Sequence, residues 1–431
     1  MPFSLTKISR SATLPAFFLA LMLTVVLPAH AQTETVLYSF CSQSGCSDGS
    51  SPFAGLIMDK KGNLYGTTFF GGANCADYGD CGTVFKLTPS GSETVLYSFC
   101  TQSGCSDGRE PVAGLIMDKK GNLYGTTSFG GAYGYGTVFK LTRDGIEAVL
   151  YSFCAHAPNC TDGAMPLAAG LILDKEGNLY GTTPYGGTNC TQEFGACGTL
   201  FKLTPAGQET VLYSFCSQSD CSDGAEPLAG VIMDKKGNLY GTTAFGGASP
   251  ECGLGCGTVF KVTPAGKETV LYSFGSQSGD GYYPEGLIMD KKGNLYGTTG
   301  SGGANHNGTV FKMTPTGTET VLYSFCSQSG CSDGAWPQAG VIMDEKGNLY
   351  GTTIWGGNLS CPFGDGSGCG VAFRLTPAGK ETVLYTLCSQ SGCTDGASPY
   401  GGLIMDKEGN LYGTTNQGGA YGAGTAFKVT P

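Results

Sequence analysis

Carboxylates, aromatic rings and thiols recur at matched positions along this 431-residue sequence. Asp48, Asp107, Asp162, Asp223, Asp280, Asp333 and Asp395 each open a D-G-x-x-P motif. Seven such carboxylates suit two kinds of chemistry. An Asp ahead of Gly caps the amides of a tight turn, whereas carboxylates gathered near one axis offer the hard oxygen ligands that Ca2+ takes. The residue types alone leave both open. Calcium is the one cofactor they suggest, and no motif requires any.

An aromatic residue precedes Gly-Gly in five places: Phe70, Phe129, Tyr185, Phe245 and Trp355, with Ser301 and Gln417 at the two further positions. Such rings either fill the wedge between packed units or form platforms on which sugar rings stack. Trp336 and Trp355 are the two tryptophans of the chain and the best candidates for a binding hot spot. Tyr282 and Tyr283 offer a second, weaker patch.

The thiols come in local pairs. After a repeated ETVLYSF-like run stand Cys41 with Cys46, Cys100 with Cys105, Cys154 with Cys160, Cys216 with Cys221, Cys326 with Cys331 and Cys388 with Cys393. In the loop after Gly-Gly stand Cys75 with Cys81, Cys190 with Cys197, Cys252 with Cys256 and Cys361 with Cys369. A loop holds two cysteines or none, and this joint presence and absence predicts ten local disulfides that stiffen long loops. Zinc thiolate sites are the rival, but there is no C-x-x-C pair and past residue 31 only His156 and His306 could assist.

Nothing resembles catalytic machinery. No G-x-S-x-G, H-E-x-x-H, P-loop or dinucleotide fingerprint occurs, and the two histidines lie in unlike loops without a repeated partner. A glycosidase-like carboxylate pair stays open, because acids are abundant and their spacing in space is not in the sequence.

The elements that must position these groups come from self-similarity. NLYGTT begins at Asn63, Asn122, Asn178, Asn238, Asn294, Asn348 and Asn410, at intervals of 54 to 62 residues. Each copy carries four β-like runs, in the first GLIMD, NLYGTT, GTVFKLT and ETVLYSF, separated by turn signals. Four short strands per unit predict an all-β, seven-bladed propeller. A linear solenoid would want capping repeats that this chain lacks. The run at 34–40 is an orphan fourth strand and 424–430 a third strand without a successor, so the first strand is expected to complete the last blade and seal the ring.

GLIMDKKGNLYGTT, a Gly-Gly loop, GTVFKLTP and ETVLYSF, recurring in that order over 32–431, resemble the GloVer tandem repeat of secreted "choice-of-anchor" proteins. That resemblance implies an exported, often surface-associated repeat protein with no established activity. The chain stops with its last repeat, which departs from the anchored members.

Residues 1–31 read as a signal peptide, with Lys7 and Arg10 ahead of an apolar stretch and Ala29-His30-Ala31 as the cleavage site. The expected mature protein is a single domain over 32–431, secreted, periplasmic or at the cell surface, with no membrane span and monomeric. The net charge of -10 argues against nucleic acid as a partner. Alternating strand direction places both Cys-bearing loops of a blade on one face. Its acids, including Asp77, Asp80, Glu193 and Asp365, far outnumber its one base, Arg109. The sequence thus points to non-catalytic recognition of a glycan or extracellular protein by this acidic face. A polysaccharide-acting hydrolase or lyase and a passive envelope component are the alternatives.

Overall fold

The computed structural model describes residues 1–2, 4, 33–73, 75, 81–167, 170–188, 190, 197–249, 251–363 and 366–431. The signal-peptide segment falls almost wholly outside them, as do Asp77, Asp80, Glu193 and Asp365. Gln32–Pro431 forms one compact unit. It contains seven antiparallel sheets of four strands.

In blade 1, Ile57–Met58, Leu64–Thr68, Thr83–Leu87 and Glu93–Ser98 pair in chain order, and blades 2 to 6 repeat the pattern. Blade 7 takes Ile404–Met405, Leu411–Thr415 and Thr425–Thr430 from the end of the chain and Thr33–Ser39 from its start. The register runs from Thr33 opposite Thr430 to Ser39 opposite Thr425. The expected ring closure is therefore made by backbone pairing, which leaves no open edge between the first and last repeats.

The core lies between blades. Val84 and Phe99 of blade 1 are buried against Leu115, Leu123, Phe139 and Leu141 of blade 2, with the two phenylalanines edge to face at 5.1 Å. The same contact recurs at 4.9 Å between Phe40 and Phe85 across the closure. Glycine in NLYGTT makes room for it: a β-carbon on Gly66 would lie 2.6 Å from the Phe85 ring. One junction differs. Leu387, at the end of blade 6, stands where the other blades carry phenylalanine, and is likewise fully buried.

The first strands are innermost. A β-carbon on Gly55 would stand 2.7 Å from the Gly402 carbonyl oxygen of blade 7, and one on Gly340 would stand 2.6 Å from that of Gly286. Gly114, Gly170 and Gly230 complete a set of seven, and neighbouring first strands meet backbone to backbone at five of the junctions. On the rim, pairing between third and fourth strands slips by one residue in each blade, at Leu96 in blade 1. That slip bends the outer strand. The bulged carbonyl then receives the next blade: Gly91, in the blade 1 turn, approaches the Leu37 oxygen so closely that a β-carbon would sit 2.8 Å away.

Candidate recognition face

The two loops of one blade are tied together. In blade 2 the carbonyl of Cys105 accepts bonds from the amides of Gly108 and Gly131, joining the D-G loop to the Gly-Gly loop. Cys46, Cys160, Cys221, Cys331 and Cys393 do the same for their own Gly-Gly loops, and Asp280 replaces them in the fifth blade. All ten local disulfides are present, and no cysteine is free. The sulfurs of Cys361, Cys369 and Cys388 cluster within 4.8 Å, but each belongs to a disulfide. Ten disulfides are the chemistry of an oxidising compartment outside the cytoplasm.

In the Gly-Gly loops these bonds also anchor the loop. The second cysteine of each pair, Cys81, Cys197, Cys256 or Cys369, is buried at the start of the third strand. Cys256 packs into the apolar core with Val259 and Phe274. Through these residues, Cys75, Cys190, Cys252 and Cys361 fasten the loop to the blade itself. Spacing along the chain identifies the partner of Cys197 or Cys256 but not its depth.

The D-G carboxylates are fully occupied with their own loops. Asp107 is buried and accepts bonds from the Tyr97 hydroxyl at 2.8 Å, the Thr101 amide and hydroxyl at 2.8 Å each, and the Gln102 amide at 3.4 Å. Asp48, Asp223, Asp333 and Asp395 repeat this set, with serine in place of threonine. Asp162 takes Tyr151 and the amides of Ala155 and His156, and lies 3.6 Å from the His156 ring. Asp280 keeps its tyrosine, Tyr272, without a disulfide in that loop. Burial pushes its carboxyl up, against the opposing pull of these donors.

Between Asp and Pro the loop carries a feature that the sequence reading missed. The residue before proline has a left-handed backbone in all seven copies: Ser51, Glu110, Met165, Glu226, Tyr283, Trp336 and Ser398, with φ between 51° and 58°. Its amide donates to the preceding blade. Four of these bonds end on the buried cysteines: Glu110 donates to the Cys81 carbonyl at 2.9 Å, Glu226 to that of Cys197 at 2.9 Å, Tyr283 to that of Cys256 at 3.0 Å and Ser398 to that of Cys369 at 2.9 Å. Trp336 donates to the Asn307 carbonyl at 2.9 Å. Glycine would adopt this φ without strain, yet no copy uses it. The backbone is constant and the side chain varies, from serine to tryptophan.

The aromatic residues ahead of Gly-Gly lie beside this ring, each partly exposed. Phe70, Phe129, Tyr185, Phe245 and Trp355 bridge to Ser50, Arg109, Ala164, Ala225 and Ala335 of the D-G loops. The Trp336 and Trp355 rings are brought together at 4.6 Å and 41°. Phe245 reaches across a blade junction to Tyr283 at 5.3 Å, while Tyr282 bonds the Glu251 carboxylate at 2.8 Å. Arg109 is held by Glu110 at 3.3 Å and lies over the Phe129 ring at 5.2 Å. A cavity of about 410 Å³ opens between Ser44–Ser47 and Phe70–Ala73 of blade 1.

The fourth-strand glutamates feel the charge of the D-G aspartates. Burial, followed by the charge of Asp48, pushes the Glu93 carboxyl up to about 7. Glu147 with Asp107, and Glu381 with Asp333, are raised likewise.

A family profile described as the Gloeobacter/Verrucomicrobia repeat matches residues 24–248 and again 191–427. No curated protein matches the chain. Among solved structures, the extracellular domain of the putative one component system BT4673 from B. thetaiotaomicron is similar over 92% of this chain and 40% of its own, at 10% identity and a TM-score of 0.52. PorZ, a bacterial surface component of the type-IX secretion system of Porphyromonas gingivalis, is similar over 88% of this chain and 46% of its own, at 14% identity and a TM-score of 0.51. The chain thus spans less than half the length of either. At such identities the likeness is one of fold.

Proposed function

This chain belongs to the Gloeobacter/Verrucomicrobia repeat family, and from that premise we propose that it is an exported binding module whose disulfide-braced loop face recognises a glycan without turning it over. The observation that carries this reading is the ring of seven left-handed residues before proline. Holding a non-glycine residue at φ near +55° costs free energy that glycine would avoid, so the side chains there are kept for what they contact. Glu110 and Ser398 are buried while Ser51, Met165, Glu226, Tyr283 and Trp336 reach solvent, and a fixed backbone presenting different side chains from blade to blade suits a recognition surface. Trp336 and Trp355 supply its largest aromatic platform, of the kind on which sugar rings stack.

The seven D-G aspartates are read as latches of that surface. Their oxygens already accept several short bonds each, which leaves little coordination for Ca2+. The disulfides support export, and the acidic loop face sets the preference for neutral or cationic partners. Among the described residues no helix is long and apolar enough to cross a membrane.

The test is a thermal-shift screen of the oxidised protein against soluble oligosaccharides, with chromatography of the sugars afterwards. A ligand present at about 100 times its dissociation constant stabilises a native-only site by about 2.7 kcal/mol. The reading requires a shift with the sugar recovered intact; a sugar consumed overturns it.

A further inference from the structure

The proline of D-G-x-x-P delivers the chain to the axis, and the next residue stands at the loop-side mouth of the ring of first strands. In six blades that residue is Phe53, Val112, Leu167, Leu228, Gln338 or Tyr400, and in blade 5 it is Glu285. Phe53 and Tyr400, from adjacent blades 1 and 7, are in ring contact at 5.1 Å, and Gln338 and Glu285, from adjacent blades 6 and 5, both border Gly300. Each of the seven is partly reached by water.

Blade 5 gets its acid from a deletion. Pro284 is two residues before the ring glycine Gly286, where five other blades have three and blade 3 has four. The first strand consequently runs unbroken over Gly281–Met289. The Glu285 carbonyl accepts the Thr242 hydroxyl at 3.0 Å, the bond that Ala113 and Ala339 accept in their blades. A glutamate therefore occupies a backbone position that carries alanine in blades 1, 2, 4 and 6 and glycine in blade 7. With no side chain on Gly300, Gln338 and Glu285 close in over it: a β-carbon there would lie 3.1 Å from Gln338 Nε2 and 3.7 Å from Glu285 Oε1. Two polar ends thus share one sector of a mouth lined elsewhere by apolar and aromatic groups.

Resting on the reading of the loop face as a recognition surface, we infer that this axial mouth binds an organic cation, an ammonium group on an apolar body, with the nitrogen on Glu285 and Gln338 and the body against Phe53, Tyr400 and Leu228. Among the described residues no cation pairs with Glu285, and an ammonium would supply one. Aromatic faces attract the same charge. A metal ion fits less well, since Ca2+ wants six to eight oxygens and one carboxylate serves the site. Burial raises the Glu285 carboxyl to about 8, and a cation bound beside it would draw it back down. Buried carboxyls shifted in this way gather at functional sites.

The experiment is calorimetric titration of the oxidised protein, at about pH 8, with benzylamine, benzyl alcohol and Nα-acetyl-lysine methylamide. Glu285→Gln and Glu285→Ala serve as variants, the latter placing there the residue that several blades already carry. The inference expects one amine site per chain, affinity for benzylamine at least tenfold above that for benzyl alcohol, and loss of that preference in both variants. Tighter binding of the lysine derivative, lost in the same variants, would keep the inference and identify the source as a protein side chain. Amine binding unchanged by either variant, or no binding at millimolar concentration, would overturn it. Trp336→Ser separates the two readings: an amine site that fails while a glycan shift still depends on Trp336 sinks this inference and leaves the loop-face reading standing.

Discussion

The Thr414 hydroxyl donates to the carbonyl of Ala54 at 2.7 Å, joining residues 360 positions apart. Equivalent bonds run from Thr67 to Ala113, Thr182 to Ala229 and Thr352 to Gly401, so the second strand of one blade holds the first strand of the next. At Thr414 this tie is also a ring closure, and it works with the pairing of Thr33–Ser39 against Thr425–Thr430.

Thr414→Val should cost about 1–2 kcal/mol, because the hydroxyl is lost and a buried carbonyl is left unmet. Deleting 33–39 should do far more, exposing the edge of blade 7 and replacing one cooperative transition by several. Chemical denaturation followed by tryptophan fluorescence and by circular dichroism reports both effects. Coincident transitions in the deletion variant would contradict the closure argument.

The aspartate latches predict a large loss without a metal effect. Asp107→Ala removes four bonds from a buried carboxylate and should cost about 3 kcal/mol. EDTA should leave the melting temperature of the unmutated protein where it is. A fall on chelation, restored by Ca2+, would turn the latches back into metal ligands.

Blades, ring closure and disulfide pairing were legible because each is a periodic signal, repeated seven times or absent as a unit. The site was less so. Asp107 and Asp333 could be recognised as turn residues, but not the left-handed Glu110 and Trp336 of the same two loops, since φ leaves no mark on a position that accepts serine, methionine and tryptophan alike. Glu285 did leave a trace, one residue missing between Pro284 and Gly286, whose meaning depends on knowing that Gly286 lies on the axis. The influence of Asp48 on Glu93 left no mark either, because separation in space is not written in the sequence.

Stability should fall as pH rises from about 4.5 to 8. The fourth-strand glutamates are raised from 4.5 to about 7, Glu209 to about 8, by burial and then by a neighbouring aspartate. The folded state therefore holds more protons than the unfolded chain across that window, and the stability they lend is complete below it. The turn aspartates oppose this at the acid end. Although burial acts to raise Asp59, bonds from Asn63, Lys61 and Tyr65 hold it below its ordinary value, and that contribution is lost as pH falls below about 4. Melting curves between pH 3 and 8.5 should peak near pH 4.5, and Glu93→Gln should flatten the alkaline limb. Because these carboxyls are partly exposed, solvent screening makes each slope shallow.

Single disulfides should matter little to the ring. Blade 5 keeps its Asp280–Tyr272 latch without a disulfide in that loop, so Cys100→Ala with Cys105→Ala should cost about 2 kcal/mol or less and leave the propeller intact by circular dichroism. Collapse of the fold on removing this one pair would show that the bonds build blades rather than brace loops.

The central claim is that the left-handed ring recognises a ligand through its side chains. It is tested most directly by comparing the glycan-induced melting shift of the unmutated protein with that of Trp336→Ser, which installs the serine that blades 1 and 7 already carry at φ of 51° and 54°. The account predicts a shift in the former and its loss in the latter, with the unliganded melting temperature nearly unchanged. A glycan shift that survives the substitution would contradict it.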